Sequence, residues 1–466
     1  MRKLSLFLFA IVLSINVQAQ LLPEIEDLGL WCVYIETVNG EEPTCDVLSS
    51  PDGCWGESIT NMNKVPCRLF LTNGGGDILY DSGCYEEKKT GAVIRVRGNT
   101  SASQFEKKPY KIKLQKKADL LCRDDSKYDD KDWLLIKNWG IRGLVGFRLN
   151  EMLGLPYAPK FQYVNVVLNG CYKGTYLLCE SISRNTDCRI IVSKKGYIFE
   201  YDAYWWKEDF YVRSNYNIPM HYTFKYPDTE DLTPEIIDSF SDYINNVECS
   251  LKNGDYDRYL DLDTFVLWLI GQDILGNYDS AGSNIFLSKY DDGDETQIQI
   301  PCLWDFDGIM GSEDRLPNIF ANIHYSFYFQ DLFADSRFIE RYIDTYERLS
   351  TSIYSDMLMM INEFVNSDYG RAYKRSFEKD QIMWDFYTQH NISKSFEEWV
   401  DLSVDWFSYR KSILDAAVAQ LKATNSIPFT KLRINGRQIL FDLNGRKNDF
   451  PKKGVNIVGN RKRIVN

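Results

Sequence analysis

The sequence predicts an α+β protein of two lobes, strand-rich first and helical second, closed by a small β segment at its C-terminal end. Three observations predict it. Residues 28–115 hold short runs in which apolar and polar side chains alternate between glycine and asparagine turns. From about residue 233 onward the apolar residues recur at helical spacing instead. Beyond "ATNSIP" the composition turns basic, with short strand-like runs and Gly turns. The expected divisions are a leader at 1–19, a strand-rich lobe at 20–227, a helical lobe at 228–424 and a small β module at 429–466.

The leader is expected from "MRKLSLFLFAIVLSINVQAQ", in which Arg2 and Lys3 precede an apolar stretch and the small-residue run "VQA". The apolar part is short for a bilayer span, and no later stretch is long and apolar enough to be one. The expectation is therefore an exported chain with no transmembrane span after leader removal. In the first lobe, "LWCVYIET", "CRLFLTNGGGDILY", "AVIRVRG" and "PYKIKLQ" read as strands. The last of these sends Lys111 and Lys113 to one face and Tyr110, Ile112 and Leu114 to the other. "LVGFRLNEMLGL" has helical spacing and stops at Gly154 before Pro156. "QYVNVVLNG" and "GTYLLCE" read as a hairpin-like pair joined through Asn169-Gly170 and Lys173-Gly174, and "GYIFEYD" as one more strand.

In the second lobe "TPEIIDSFSDYINNV" and "DLDTFVLWLIGQDILGN" read as helices with Thr233 and Asp263 as N-caps. A strand pair, "NIFLSKY" and "QIQIPCLW", is linked by the acidic turn "DDGDET". Amphipathic helices then run to about Leu421.

Composition excludes some functions. The 466 residues are 44% hydrophobic and carry a net charge of −12, which argues against a nucleic-acid binder working by counterion release. The three His residues are scattered, so a His-based zinc site or His-relayed triad is not expected. Export permits disulfides, and one or two bridges are expected among Cys32, Cys45, Cys54, Cys67 and Cys84. No pair has CxxC spacing, which excludes a zinc ribbon or a dithiol redox motif.

The chemistry gathers around "LWDFDGIMG". Two carboxylates, Asp305 and Asp307, sit one residue apart between Trp304, Phe306 and Gly308. Like charges at that spacing repel, and a cation between them relieves the repulsion. Upstream, "GNYDSAGSNIF" places Asp279 after a helix and Asn284 five residues later, at the start of a strand. An Asp, an Asn and a strand leading to an Asp-Phe pair is the order of parts used for phosphoryl transfer. Asp279 is then the group that orients the acceptor hydroxyl, and Asn284, Asp305 and Asp307 offer hard oxygen ligands to magnesium or manganese. Strand alternation aims Asp305 and Asp307 to one side. Comparison with the Asp-Phe-Gly pattern favours Asp305 as the direct ligand, whereas the following Gly308 favours Asp307. Positive charge for phosphate is expected from Lys113, with Arg95 and Arg97 nearby and Glu180 or Glu151 as partner of the lysine.

The motifs "VRGNTS", "KKPYKIKL", "KDWLLI", "GLPYAP", "VVLNGCYKGTYLLCE", "GNYDSAGSNIF" and "PCLWDFDGIMG", in that order across residues 30–420, resemble the CotH protein kinases, a family of secreted or spore-coat atypical kinases. The resemblance implies an atypical protein-kinase-like two-lobed fold, ATP with Mg2+ or Mn2+, and phosphorylation of Ser or Thr in secreted or surface proteins. It supports Lys113 for phosphate binding, Asp279 for catalysis, and Asn284, Asp305 and Asp307 around the metal; Arg97 and Glu180 join Lys113 as cofactor-binding candidates on charge and strand placement alone. Arg142-Gly143 departs from the Arg-Asn that the family often has there, and no glycine-rich nucleotide loop occurs. The tail "FDLNGRKNDFPKKGVNIVGNRKRIVN" resembles a type IX C-terminal sorting segment, which implies an outer-surface sorting machinery as partner. Two other readings use the same residues: a non-catalytic adhesin or glycan-binding scaffold exploiting the 30 Tyr and 11 Trp, and adenylyl transfer at the same site.

Overall fold

The computed structural model describes residues 24–54, 56–60, 63–137, 139–216, 219–280, 283–311, 327–384 and 394–424, with the backbone of short strands between 433 and 465. The expected leader lies outside the described residues. Contacts divide the chain into two units. The first takes residues up to Ile141, Pro159–Arg189 and Ile361–Trp399; the second takes Arg142–Ala158, Ile190–Met360 and the chain from Val400. The division is not a cut near residue 227, because each unit is completed by segments distant in sequence.

The alternating strands of the first unit are β1 (Trp31–Thr37), β2 (Val65–Thr72), β3 (Ile78–Asp81), β4 (Ala92–Val96), β5 (Tyr110–Ala118), β6 (Asp130–Lys137), β7 (Phe161–Leu168) and β8 (Cys171–Glu180). They form one sheet in the order β1-β7-β8-β6-β5-β4-β2-β3, and β1 also pairs with β2. The sheet therefore closes into a barrel of seven strands, with β3 attached along β2. Closure leaves fewer open edges to attract other strands. The β1–β7 pairing is parallel and the others are antiparallel.

One parity of every strand fills the barrel: Ile35, Leu69, Ile94, Ile112, Trp133 and Val166 belong to a single buried cluster. The other parity points outward, which puts Lys111 and Lys113 on the outer surface, as their alternation predicts. The Asn169-Gly170 turn is the expected tight hairpin, with φ of 51° and 76°. Lys173-Gly174 is not part of the turn. It is a bulge in β8, where the register slips between Tyr172 and Gly174.

The main helices are α1 (Arg142–Leu153), α2 (Pro234–Asn253), α3 (Leu262–Leu275), α4 (Ser336–Leu349), α5 (Ile353–Asn366), α6 (Asp368–Met383) and α7 (Phe396–Thr424). Helix α6 packs on the outside of the barrel within the first unit. Tyr373 stacks on Tyr163 with ring centroids 3.9 Å apart. Fully buried Lys107 gives its ammonium to both oxygens of Asp380 at 2.6 and 2.8 Å and to the Thr175 carbonyl at 2.7 Å. Gly174, at φ 100°, is required there, since a Cβ would meet the Asp380 carboxylate at 1.9 Å.

In the second unit, β9 (Tyr197–Tyr201), β10 (Tyr211–Arg213), β11 (His221–Tyr226), β12 (Ile285–Lys289) and β13 (Ile298–Gln299) form an antiparallel sheet in the order β10-β11-β9-β12-β13. Thr233 caps α2 as expected, accepting from the Ile236 N–H. Helix α3 is capped by Asp261, not Asp263. The helix begins at Leu262, so Asp261 is the residue placed to accept the Thr264 N–H. Asp263 lies in the first turn and pairs with Arg341.

The strand expected over "QIQIPCLW" ends at Gln299. Beyond it other partners replace the ladder: Ile300 N–H donates to Thr264 Oγ1, the Pro301 carbonyl accepts from Tyr157 N–H, and Leu303 N–H donates to Asn150 Oδ1. In the tail, Lys447–Asn448, Leu440–Phe441, Gly454–Val458 and Arg461–Val465 form a four-stranded sheet in that order.

The eleven cysteines are all free thiols, so the expected bridges do not form. Cys32 and Cys67 show why: both are buried in the barrel wall, but Cys67 belongs to the interior cluster and Cys32 to an outer one. Burial pushes both thiols up to about 12. Among the described residues no helix is long and apolar enough to cross a membrane.

Candidate active site

The site is built where α3 ends. This helix is buried on nearly every side, and its last turn is held from two directions. Buried Arg410 donates Nε–H to the Asp273 carbonyl at 2.7 Å, and Trp406 donates Nε1–H to the Ile274 carbonyl at 2.9 Å. Tyr342 donates its hydroxyl to Asp273 Oδ2 at 2.8 Å. Gly276, at φ 59°, ends the helix, and the chain turns through Asn277 into the short 3-10 turn Tyr278–Ser280. The fixed helix end thus sets where Asp279 emerges.

Asp279 is exposed to solvent, while its carboxyl is partly desolvated by neighbouring protein. That desolvation, and secondarily the charge of Asp305, push it up to about 7. Asn284, half-buried and at φ 61°, stands before β12 and donates Nδ2–H to the Asp279 carbonyl at 3.3 Å.

The acidic pair lies on an irregular loop. Asp305 has φ 58°, a left-handed conformation that Asp tolerates better than most residues. Its Oδ1 accepts the Asp307 N–H at 3.3 Å, closing a small turn. Asp305 is therefore not aimed by a strand pleat, and the expected alternation does not govern the pair. Between the two carboxylates, Phe306 is buried against Phe147 of α1, with centroids 4.9 Å apart. Gly146 makes room for that ring, since a Cβ there would come within 2.1 Å of it. Arg142, the first residue of α1, donates to the Asp307 carbonyl at 2.6 Å and to the Met310 carbonyl at 3.4 Å.

The fold thus brings Asp279, Asn284, Asp305 and Asp307 into one group of loops within the second unit. Among the described residues no group of three or more His, Cys, Asp or Glu side chains is arranged to hold a metal ion. The donors present are two carboxylates and an amide carbonyl. That set fits magnesium or manganese of the kind that takes its remaining ligands from water and phosphate.

The expected phosphate-binding residues lie in the first unit. Lys113 is exposed on the outer face of the barrel, opposite Val93 and Asp132 in register. Its neighbour Lys111 pairs with Asp132 at 2.8 Å. Arg97 is half-buried just past β4. Glu180 is not a partner for Lys113, because it shares the inward parity of Trp133, its partner in register, whereas Lys113 faces outward. Its buried carboxylate pairs with Arg123 at 2.8 Å and with Arg189, and accepts the Lys160 N–H. Glu151 pairs with Arg148 on its own helix.

Two residues of the site were not predicted. Asn277 donates Nδ2–H to the Asp305 carbonyl at 3.0 Å and accepts the Asp279 N–H on Oδ1 at 3.2 Å. Arg142 stands in the sequence as a departure from the family motif, with nothing to mark it as a donor to the acidic loop. The one signal for Asn277 was its place in "GNYDS", after the helix-ending glycine.

Oxygen-donor side chains thus lie on two adjoining loops, beside an Asp279 carboxyl whose pKa is raised. The sequence model of the CotH kinase protein family matches residues 94–414, a span that contains Asp279, Asn284, Asp305 and Asp307, and the chain belongs to that family. Among curated proteins none matches the chain.

Proposed function

We propose that the chain is a metal-dependent kinase of atypical two-lobed, kinase-like fold that transfers the γ-phosphate of ATP to Ser or Thr of exported or surface proteins. The observation that carries this reading is the grouping of exposed Asp279 with Asn284 and with the Asp305 loop, to which Asn277 ties it. A carboxylate with a pKa near the working pH suits a group that orients a hydroxyl and takes its proton. Asp305, Asp307 and the Asn284 carbonyl are the residues that hold the metal. Magnesium or manganese bound with ATP supplies charge neutralisation at the phosphates. Lys113 and Arg97 are the proposed phosphate contacts of the first unit. The export assignment rests on the leader pattern, and delivery to the outer surface rests on the tail.

An adhesin or glycan-binding scaffold has no need to hold two carboxylates and a third acidic group together at the cost of their repulsion. The test is incubation of the full chain with ATP, magnesium or manganese and candidate exported proteins, followed by mass spectrometry. Phosphate on Ser or Thr is the expected product. Addition of AMP instead identifies adenylyl transfer, and absence of both transfer and ATP binding leaves the scaffold reading.

A further inference from the structure

We propose that Asn277 is a positioning residue that sets the spacing of the two acidic loops and so makes them competent to bind metal with ATP; the inference rests on the kinase reading above. The residue is 4% exposed, and its carboxamide uses both ends. Nδ2–H donates to the Asp305 carbonyl at 3.0 Å, and Oδ1 accepts the Asp279 N–H at 3.2 Å. One side chain therefore ties the backbone of the loop after α3 to the backbone of the DFD loop. These are the residues whose carboxyl groups sense one another.

The simpler account, that Asn277 caps α3, does not need the side chain. The helix end is closed by backbone bonds, Gly276 N–H to the Asp273 carbonyl and Asn277 N–H to the Gln272 carbonyl at 3.1 Å, which any residue at 277 other than proline keeps. What the side chain adds is the link between loops. Asp305 sits in a left-handed conformation, and such a residue persists when its surroundings over-determine it. Asn277 acts on it at the carbonyl, the Asp307 N–H at the carboxylate, and the buried Phe306 ring at the next residue. Arg142 fixes the far end of the same turn through the Asp307 carbonyl. Asn277 also touches the Asp279 loop, through the Asp279 N–H.

The replacement Asn277→Asp separates geometry from charge. It keeps an acceptor for the Asp279 N–H, loses the donor to the Asp305 carbonyl, and adds a negative charge near the site. Added charge alone would tighten cation binding; a broken link would weaken it. The experiment measures Mn2+ binding, with and without ATP, by electron paramagnetic resonance on the full chain. N277D and Asn277→Ser are compared with wild type, with thermal unfolding recorded alongside. We expect both variants to stay folded and to lose roughly ten- to a hundredfold in Mn2+ affinity, the range for residues that orient metal ligands. The KM for metal–ATP should rise more than kcat falls.

Wild-type affinity in both folded variants overturns the proposal, as does tighter binding by N277D. If wild type itself binds neither Mn2+ nor metal–ATP, the kinase reading fails and this inference with it.

Discussion

The barrel of the first unit and the acidic loops of the second place their charged side chains by different physics. On β5, Lys111 and Lys113 face outward because Ile112 and Leu114 fill the interior, so strand parity alone gives their direction. In the loops no period operates. Asp279, Asp305 and Asp307 are aimed by a helix end, a left-handed residue and single hydrogen bonds from Asn277 and Arg142. A periodic wall spreads the task of orientation over many contacts, whereas a loop site concentrates it in a few. Substitutions in the barrel should therefore act on stability, and substitutions in the loops on metal and turnover.

The largest effect is expected at the loops. Asp279→Asn should lower kcat by about 10²–10⁴-fold, the range for a general acid–base group, with ATP affinity little changed. Steady-state kinetics with separate ATP-binding measurements check this. Wild-type turnover in the variant removes Asp279 from the mechanism.

The counterpart in the first unit is Lys107→Met. It leaves Asp380 buried beside the Thr175 N–H with no cation, which costs about 3–5 kcal/mol of stability. Denaturant unfolding should show that loss, and replacing Asp380 by Asn in the same chain should recover much of it. If K107M is as stable as wild type, the contrast between the two regions fails at its strongest point.

This contrast also explains what could be read in the sequence. Alternation and turn signals reveal strands, so β1, β2, β3, β4, β5, β7, β8, β9 and β12 were legible, and so was the inward or outward sense of β5. Closure was not, because β1 pairs with β2 and β7 through partners 40 and 133 residues away, Cys32↔Thr72 and Cys32↔Asn165, which no local pattern signals. The return of 361–399 to the first unit was also hidden. Asp380 and Tyr373 read as ordinary positions on an amphipathic helix until the barrel supplies Lys107 and Tyr163. In the site, carboxylates at short spacing announced themselves through their mutual repulsion. The neutral Asn277 and the backbone-directed Arg142 carry no such mark.

A smaller effect separates the members of the acidic pair. The glycine after Asp307 favours that residue as the direct ligand, but Asp305 is the carboxylate near enough to raise the Asp279 pKa, and we take it as the proposed direct ligand on that proximity. Asp305→Ala should then abolish most Mn2+ affinity, and Asp307→Ala should reduce it roughly ten- to a hundredfold. Calorimetric titration decides between them, and equal wild-type affinity in both variants returns the motif to an acidic turn.

The smallest effect is expected at Lys113. Its side chain is exposed on the outer face of β5, and the carboxylate across the ladder, Asp132, is engaged by Lys111. Removing it opens no cavity and leaves no buried charge, so Lys113→Ala should shift stability by no more than about 0.5 kcal/mol. As a phosphate contact it works from solvent, where an ion pair contributes about 0.2–1 kcal/mol, so ATP affinity should fall by roughly two- to fivefold. That loss should shrink as salt is raised, because exposed charges are screened over about 8–10 Å at physiological ionic strength. ATP titrations of wild type and K113A at low and high salt check both points. An unchanged affinity at low salt takes Lys113 out of the nucleotide site and leaves it as a solvated lysine of the barrel wall. A loss that persists at high salt means instead that the lysine works in a site shielded from solvent.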